Sequence, residues 1–448
     1  MEQLKNQEAL PSVLSLAIPI AVENVLRNLI NTLNVFFLSE YADAAASGVG
    51  VANQVLTIVL MFASAIAVGA AVIINHDLGA KDYEKASVSV MNSISVAAIF
   101  GAVVSLFLFF GSGALMKAIG LEGEVFDAAS RYLRIAGLSS VFIAASSVLS
   151  TVFRSYKNAR LSMIVITCAN ALNLLFTYSA IRFEDVLPVS ALEGIAIGKV
   201  VCEGLAVVVL YTLMAVKKYG YSFKNTFAFD GERVKKMLSV GASSSAESLS
   251  YNIGTLLTTG FIASSSLGSL ALSAKVYVGT INPYEQIFGN ALGQSGQIIS
   301  GRLIGAQKYD EAQERIKKLW KYLAITNIFF GVLQFALHKQ LMGLFTDDPK
   351  VIAMSTPLFL FEIFINLSRT LNHCFNSANR SAGYVFWTAI VAVISLWFIY
   401  VGCGYIFCNV IGLGITGVWL AMLIDETTRG SFSAFVWLTK RWQKKFKV

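Results

Sequence analysis

Apolar residues run along this chain in long blocks, each separated by a short polar or charged connection. The blocks cover residues 11–38, 48–76, 88–116, 132–153, 161–181, 190–214, 236–263, 271–300, 319–345, 351–376, 383–409 and 412–439. A bilayer-spanning helix takes about 20 mostly apolar residues. Most blocks exceed that length, which predicts tilted spans or extension into the interface. The pattern therefore predicts an all-α polytopic membrane protein with twelve transmembrane helices. Glycine is frequent, at 34, and proline rare, at 6, which favours helices in close contact through small residues. Pro19 falls inside the first block and Pro283 inside the eighth, where a missing N–H predicts a kink.

The polar connections reveal a repeat. Leu78-Gly-Ala-Lys-Asp-Tyr-Glu-Lys-Ala86 recurs as Ile304-Gly-Ala-Gln-Lys-Tyr-Asp-Glu-Ala312, with Gly79, Ala80, Tyr83 and Ala86 matching Gly305, Ala306, Tyr309 and Ala312 in one register. In a register shifted by two positions, Glu23 matches Glu247, Asn28 matches Asn252 and Leu33 matches Leu257. Gly194-Ile195 has its counterpart in Gly414-Ile415. The chain reads as two pseudo-symmetric six-helix lobes, residues 1–216 and 236–448, joined by a polar linker at 217–235. Six helices per half makes a parallel repeat about an axis along the membrane normal. Gly79 and Gly305 are expected to end helices or allow tight turns, as hinges rather than sites.

Composition agrees with a bilayer environment: 56% of residues are hydrophobic and 14% charged, against about 25% charged in ordinary globular domains. The net charge of +8 is explained by its placement. Basic residues gather at Arg154–Arg160, Lys217–Lys236, Arg302–Lys318 and Lys440–Lys447, while Ser39–Gly48 and Arg182–Gly194 carry few or none. With alternating helices all the basic stretches share one side. That asymmetry predicts a multi-pass plasma-membrane protein with both termini cytoplasmic, and not a nucleic-acid partner. Cys168, Cys202, Cys374, Cys403 and Cys408 fall within spans, without metal-ligand spacing, and read as small packing residues. The polar start Met1–Leu10 is followed by no A-x-A-type cleavage site, which argues against a cleaved signal peptide. No Walker-type phosphate loop and no nucleophile–base arrangement appears, so the expectation is a non-enzyme without cofactor or obligate protein partner, drawing on an ion gradient.

Gly289-Asn-Ala-Leu-Gly-Gln-Ser-Gly-Gln297 running into Gly305-Ala306, the tail Gly412-Leu-Gly-Ile-Thr-Gly-Val-Trp419 with Asp425, Arg429 and Arg441-Trp442, and the fifth-helix pair Asn170 and Asn173 resemble the multidrug and toxic compound extrusion (MATE) family of the MOP flippase superfamily. The resemblance covers almost the whole chain. It implies a proton- or sodium-coupled antiporter that exports organic, often cationic, compounds by rocker-switch alternating access. It also identifies departures. Where many members carry an acid in helix one this chain has Asn34, and a second family acid falls on Thr177. Glu247 matches the helix-seven Glu. The helix-ten Asp of some members falls near Ile365 or Asn366, with Glu362 one turn away.

An ionisable group at bilayer depth costs about 3 kcal/mol on insertion scales, so it faces a partner or a wet cavity. Glu247, in the small-residue run Gly241–Ala246, is the foremost candidate for binding a proton or sodium; the alternative is a structural carboxylate held by neighbouring serines. Glu23 has Arg27 one turn on, as an ion pair or a gate. Glu285 follows Pro283, and Glu362 shares its helix with Arg369 and His373, which are four residues apart and expected on one face. Lys199 and Glu203 are expected to pair, and Asp425, Glu426 and Arg429 to form a network at the end of helix twelve. Asn28, Asn31, Asn34, Asn170, Asn173, Asn252 and Asn366 could line an uncharged polar path or bond between helices. The competing function is a lipid-linked oligosaccharide or polysaccharide flippase of related architecture.

Overall fold

The computed structural model describes residues 12–41, 43–184, 188–221, 229–265 and 268–445; within these, the side chains of 31–32, 35–36, 38–41, 43–46, 283–285 and 444–445 lie outside the description. The described residues are helical, with no strand among them. In chain order the long helices are α1 (Val13–Tyr41), α2 (Asp43–Gly79), α3 (Tyr83–Ala118), α4 (Gly123–Ser155, through a 3-10 turn at Gly137–Ser139), α5 (Ala159–Arg182) and α6 (Ala191–Lys217). They continue as α7 (Gly231–Ala263), α8 in two segments (Gly268–Ile281 and Pro283–Gly305), α9 (Tyr309–Ala336), α10 (Pro349–Ser381), α11 (Phe386–Val410) and α12 (Ile415–Leu438). Of these, α1 to α6 and α9 to α11 contain stretches long and apolar enough to cross a bilayer. The helices α7, α8 and α12 have the length but are more polar, because they carry the acids, the serine run and the buried basic residues discussed below.

The two prolines act differently. Helix α1 continues without interruption across Pro19. At the eighth span the first segment stops at Ile281, and Pro283 opens the second at its first helical position, where a missing N–H costs nothing.

Helix ends show the repeat in the backbone. Lys81, Lys157, Lys218, Gln307, Gly383 and Lys440 have φ between 54° and 67°. Lys81 and Gln307 are equivalent in the register of the polar marker, as are Lys157 and Gly383. After each, the next N–H reaches back five residues: Asp82 to the Asp77 carbonyl at 3.0 Å, Lys308 to Leu303 at 2.8 Å, Asn158 to Phe153 at 2.8 Å and Tyr384 to Asn379 at 2.9 Å. This is the Schellman closure, which ends a helix by one left-handed residue. The marker glycines end their helices, one of the two roles expected of them, but do not make the turn itself. Gly79 and Gly305 are the last helical residues, and the left-handed turn falls two positions later, on exposed Lys81 and Gln307. Asp82 then caps α3 by accepting from the Lys85 N–H at 3.0 Å. Hydrogen bonds from Lys85 hold the Asp82 carboxyl below its ordinary range.

The chain divides into two units, Met1–Gly241 and Ala242–Val448. In the first, α2 packs on α3 and α4, α3 and α6 on α4, and α5 on α1 and α6. Its core runs through Ala67, Ile74, Met91, Val148, Leu149 and Phe153, with a second cluster about Leu56, Leu108, Tyr132 and Leu133. The start of α7 belongs to this unit. Arg233 pairs with Asp77 at 2.6 Å and Asp230 at 3.0 Å, and Ser89 donates to Asp77 at 2.6 Å. Gly69 permits the approach, since a Cβ there would sit 2.2 Å from the Met237 carbonyl oxygen. In the second unit α8 packs on α9 and α10, α9 and α12 on α10, and α11 on α12, which repeats five of the six pairings of the first. Its core includes Leu358, Phe359, Ile365, Leu396, Tyr400, Val418 and Trp419. Large apolar side chains such as Phe110, Phe107, Ile325 and Phe329 remain exposed, the pattern of surfaces that face lipid.

Candidate functional site

In the first unit, α1 turns Glu23 inward until it is only 3% exposed. Arg27, one turn on, donates to its Oε1 at 3.1 Å, and Arg154 of α4 donates to both carboxylate oxygens at 3.0 Å. A buried carboxylate needs such compensation, because burial strips its hydration. Elsewhere in this unit the asparagine positions are neutral. Asn170 donates to the Ile166 carbonyl at 2.8 Å within α5. Asn34 Oδ1, Asn173 Nδ2 and the Thr177 hydroxyl are buried without a hydrogen-bond partner, on α1 and α5, which pack together. Lys199 of α6 donates to Asn53 Oδ1 of α2 at 3.2 Å, an amide partner in addition to its electrostatic interaction with Glu203. Asn28 is exposed, and the Asn31 side chain lies outside the described residues.

The second unit gathers far more charge. Glu247 of α7 receives Arg380 Nη2 at 2.9 Å and Arg429 Nη1 at 3.4 Å, with Asn376 Nδ2 at 3.3 and 3.4 Å from its two oxygens. Arg429 also holds Asp425 through two bonds, at 2.7 and 3.0 Å, and Glu426 at 3.1 Å. Arg369 reaches Glu426 at 3.5 Å and Glu362 at 3.1 Å. The remaining lone pairs are taken by neutral donors. Trp419 Nε1 gives to Glu362 at 3.0 Å, Ser395 to Asp425 at 2.6 Å and Asn372 to Glu426 at 2.6 Å. Asn366 Oδ1 accepts from Arg369 at 2.9 Å. Among the described residues this places four carboxylates against three guanidinium groups.

Backbone geometry lets these groups meet. Gly430 follows Arg429, and a Cβ there would lie 2.8 Å from Leu371 Cβ and 3.0 Å from the Ser368 carbonyl, so α12 can close on α10 only with glycine at this position. Within α10 a π-helical turn at Asn372–Asn376 carries two of the three amides that serve the network. Such turns are frequent at functional sites. The turn begins between Arg369 and His373, and the His373 ring packs against Gly289 of α8, whose Cβ would meet its Cδ2 at 3.0 Å. Asp425, Glu426 and Arg429 lie in the buried middle of α12, not at its end as expected, because the helix continues to Leu438. Asn252 stands apart, exposed and bonded to the Ser248 carbonyl at 2.8 Å. The Glu285 side chain, with that of Pro283, lies outside the described residues.

Sequence reading found Arg27, Arg369 and Arg429 but missed Arg154 and Arg380 as counter-ions of Glu23 and Glu247. Arg154 and Arg380 are equivalent in the register of the polar marker, so the Glu–Arg contact between the first and fourth helices of each half is itself repeated. A search of the repeat for matched charges would have found it. Trp419 carried no comparable signal.

A MatE family model matches residues 19–179 and again 244–406, one match in each half. The chain belongs to the MatE family of membrane transporters. It is 30% identical to an uncharacterized transporter, YisQ, of Bacillus subtilis over 97% of this chain and 95% of that protein. It is 25% identical to the probable multidrug resistance protein NorM of Thermotoga maritima, over 97% and 93%. Its fold matches that of a multidrug resistance MATE-family transporter in an outward-facing conformation, with a TM-score of 0.88 at 17% identity over 100% and 99% of the two chains. Multi-pass membrane placement follows from the family and the apolar spans.

Proposed function

We propose that this MatE-family chain exports organic compounds, drugs among them and often cationic, in exchange for protons or sodium ions. The exporter reading draws on relatives named as multidrug resistance or export proteins, one of them MepA of Staphylococcus saprophyticus. The observation that carries the ion coupling is the surplus carboxylate in the second unit. Four acids face three arginines, and a buried charge left uncompensated at bilayer depth is costly. One more positive charge, a proton or a cation, balances the cluster. Glu247 is the member at which exchange takes place, since its side chain is 14% exposed against 1 to 7% for Asp425, Glu362 and Glu426.

Ion binding would bias alternating access of two six-helix lobes, with both termini cytoplasmic, provided the ion binds the two orientations with different affinity. The Asn34 and Thr177 positions leave the first lobe without a comparable surplus, so coupling is assigned to the second. The test uses proteoliposomes loaded with a cationic dye under separately imposed proton and sodium gradients. Glu247→Gln should lower gradient-driven transport at least about tenfold, equivalent to about 1.4 kcal/mol, while equilibrium dye exchange persists. Undiminished gradient-driven transport by the variant would remove Glu247 from the mechanism. The gradient that drives the wild type identifies the ion.

A further inference from the structure

Near its start α9 carries three lysines without partners. The first acids of the helix are already engaged: Asp310 holds Lys440 at 2.6 Å, and Glu311 holds Arg315 at 3.4 Å and Lys308 at 3.8 Å. Lys317, Lys318 and Lys321 follow, all exposed. None of them lies within ion-pair or hydrogen-bond distance of a described side chain, that of Glu314 one turn back included. Spacings of three and four residues put the lysines on one face of the helix. The same face continues through Tyr322, Ile325, Ile328 and Phe329, whose side chains are also exposed. One stripe thus changes from basic to apolar within a turn, and from Lys321 to Phe329 it runs about 12 Å at 1.5 Å per residue.

Topology alone does not demand these charges. In the register of the polar marker the three positions fall on Met91, Asn92 and Ser95 of α3, all neutral. Met91 and Asn92 are buried and Ser95 is half-buried. They lie where the chain after α6 and the start of α7 close on α3, with Ser87 donating to the Gly220 carbonyl at 2.8 Å and Ser93 to Met237 Sδ at 3.3 Å. The matched turn of α9 is left open among the described residues, and lysine stands at each of the three positions. A lysine stem laid on an apolar stripe carries its ammonium to the membrane interface. The opposite charges at that depth are lipid phosphates. Basic clusters are drawn to anionic leaflets, and an ammonium on a phosphate oxygen makes a charge-assisted hydrogen bond. A zwitterionic headgroup brings its own cation and attracts the cluster less.

We propose that Lys317, Lys318 and Lys321 bind the headgroup of an anionic phospholipid, whose acyl chains lie along Tyr322, Ile325 and Phe329. Such a site stands apart from the buried carboxylate network and does not depend on which compound is exported. Purified full-length protein in detergent is titrated with dioleoyl phosphatidylglycerol or with dioleoyl phosphatidylcholine, and native mass spectrometry counts the lipids bound.

The wild type should bind its first phosphatidylglycerol about tenfold more tightly than phosphatidylcholine. Lys317→Gln, Lys318→Gln and Lys321→Gln combined should abolish that preference while leaving phosphatidylcholine binding intact, which also reports that the variant folds. The three lysines changed together to arginine should retain it. Lys117→Gln, Arg182→Gln and Lys350→Gln combined remove as many exposed charges at other helix ends and should retain it as well. Equal binding of the two lipids by the wild type, an undiminished preference in the Gln variant of α9, or an equal loss in the control variant overturns the proposal. Displacement of the bound lipid by inorganic phosphate at the lipid's own concentration would assign the lysines to free phosphate and overturn it too.

Discussion

Removing Arg154 is the sharpest test of how the first unit holds its buried acid. Glu23 is 3% exposed and receives three guanidinium hydrogen bonds, two of them from Arg154. In Arg154→Met the carboxylate keeps only Arg27, whose side chain is 31% exposed. Breaking a buried ion pair from one side costs about 3–5 kcal/mol, because the remaining charge is stranded. The surviving Arg27 contact sets the expectation at the lower end, about 3 kcal/mol. The repeat supplies an internal control. Arg380→Met removes the matched arginine from Glu247, but Glu247 is 14% exposed and keeps Arg429 and Asn376, so about 1 kcal/mol is expected. Pairing Arg154→Met with Glu23→Gln should recover most of the loss, since neutralising both partners strands nothing. The measurement is reversible unfolding in mixed micelles titrated with sodium dodecyl sulfate, followed by tryptophan fluorescence and closed as a double-mutant cycle. An Arg154→Met variant within about 0.5 kcal/mol of wild type, or a double variant as unstable as the single, would refute the reasoning.

Two further outcomes follow from the backbone. Lys81→Gly and Gln307→Gly should each stabilise the protein, by up to about 1 kcal/mol, since both residues hold left-handed conformations that glycine adopts freely; the same titration reads this, and unchanged or lowered midpoints would contradict it. Gly69→Ala should sharply reduce the yield of folded, monodisperse protein in size-exclusion chromatography, because the added Cβ would stand 2.2 Å from the Met237 carbonyl, which is backbone and cannot swing aside; a normal profile would show that α2 and the start of α7 yield readily.

Much of the architecture was legible because lipid imposes a coarse rule: apolar blocks of spanning length become helices, and the recurrence of Leu78–Ala86 as Ile304–Ala312 makes two halves. The acids Glu23, Glu247 and Glu362 stood out for the same reason, as charges inside apolar blocks. Arg27 and Arg369 stood out with them, but other partners did not. Arg154 sits beside a basic turn and reads as topology, although its distance from Arg380 repeats the marker's register. Trp419 reads as one more apolar residue, and only the packing of α12 on α10 brings its indole N–H to Glu362. The left-handed helix ends were hidden because lysine and glutamine occupy positions where glycine is the usual cue. The basic partners of Glu247 were hidden for a related reason, since Arg380 and Arg429 arrive from α10 and α12, far along the chain.

The π turn at Asn372–Asn376 has a consequence for how this helix keeps phase. A regular α-helix advances about 100° per residue, and a π turn holds one residue more than its α-helical equivalent. Everything after it, including Arg380, is therefore rotated relative to Arg369 and Glu362 before it. The azimuth at which Arg380 meets Glu247 is set by chain length across the turn, not by any side chain there. Deleting a single residue within 372–376 would leave every charge of α10 in place in composition and turn the later half of the helix away from its partners. Residue count acts here as a coordinate, invisible to any inspection of which amino acids the helix contains.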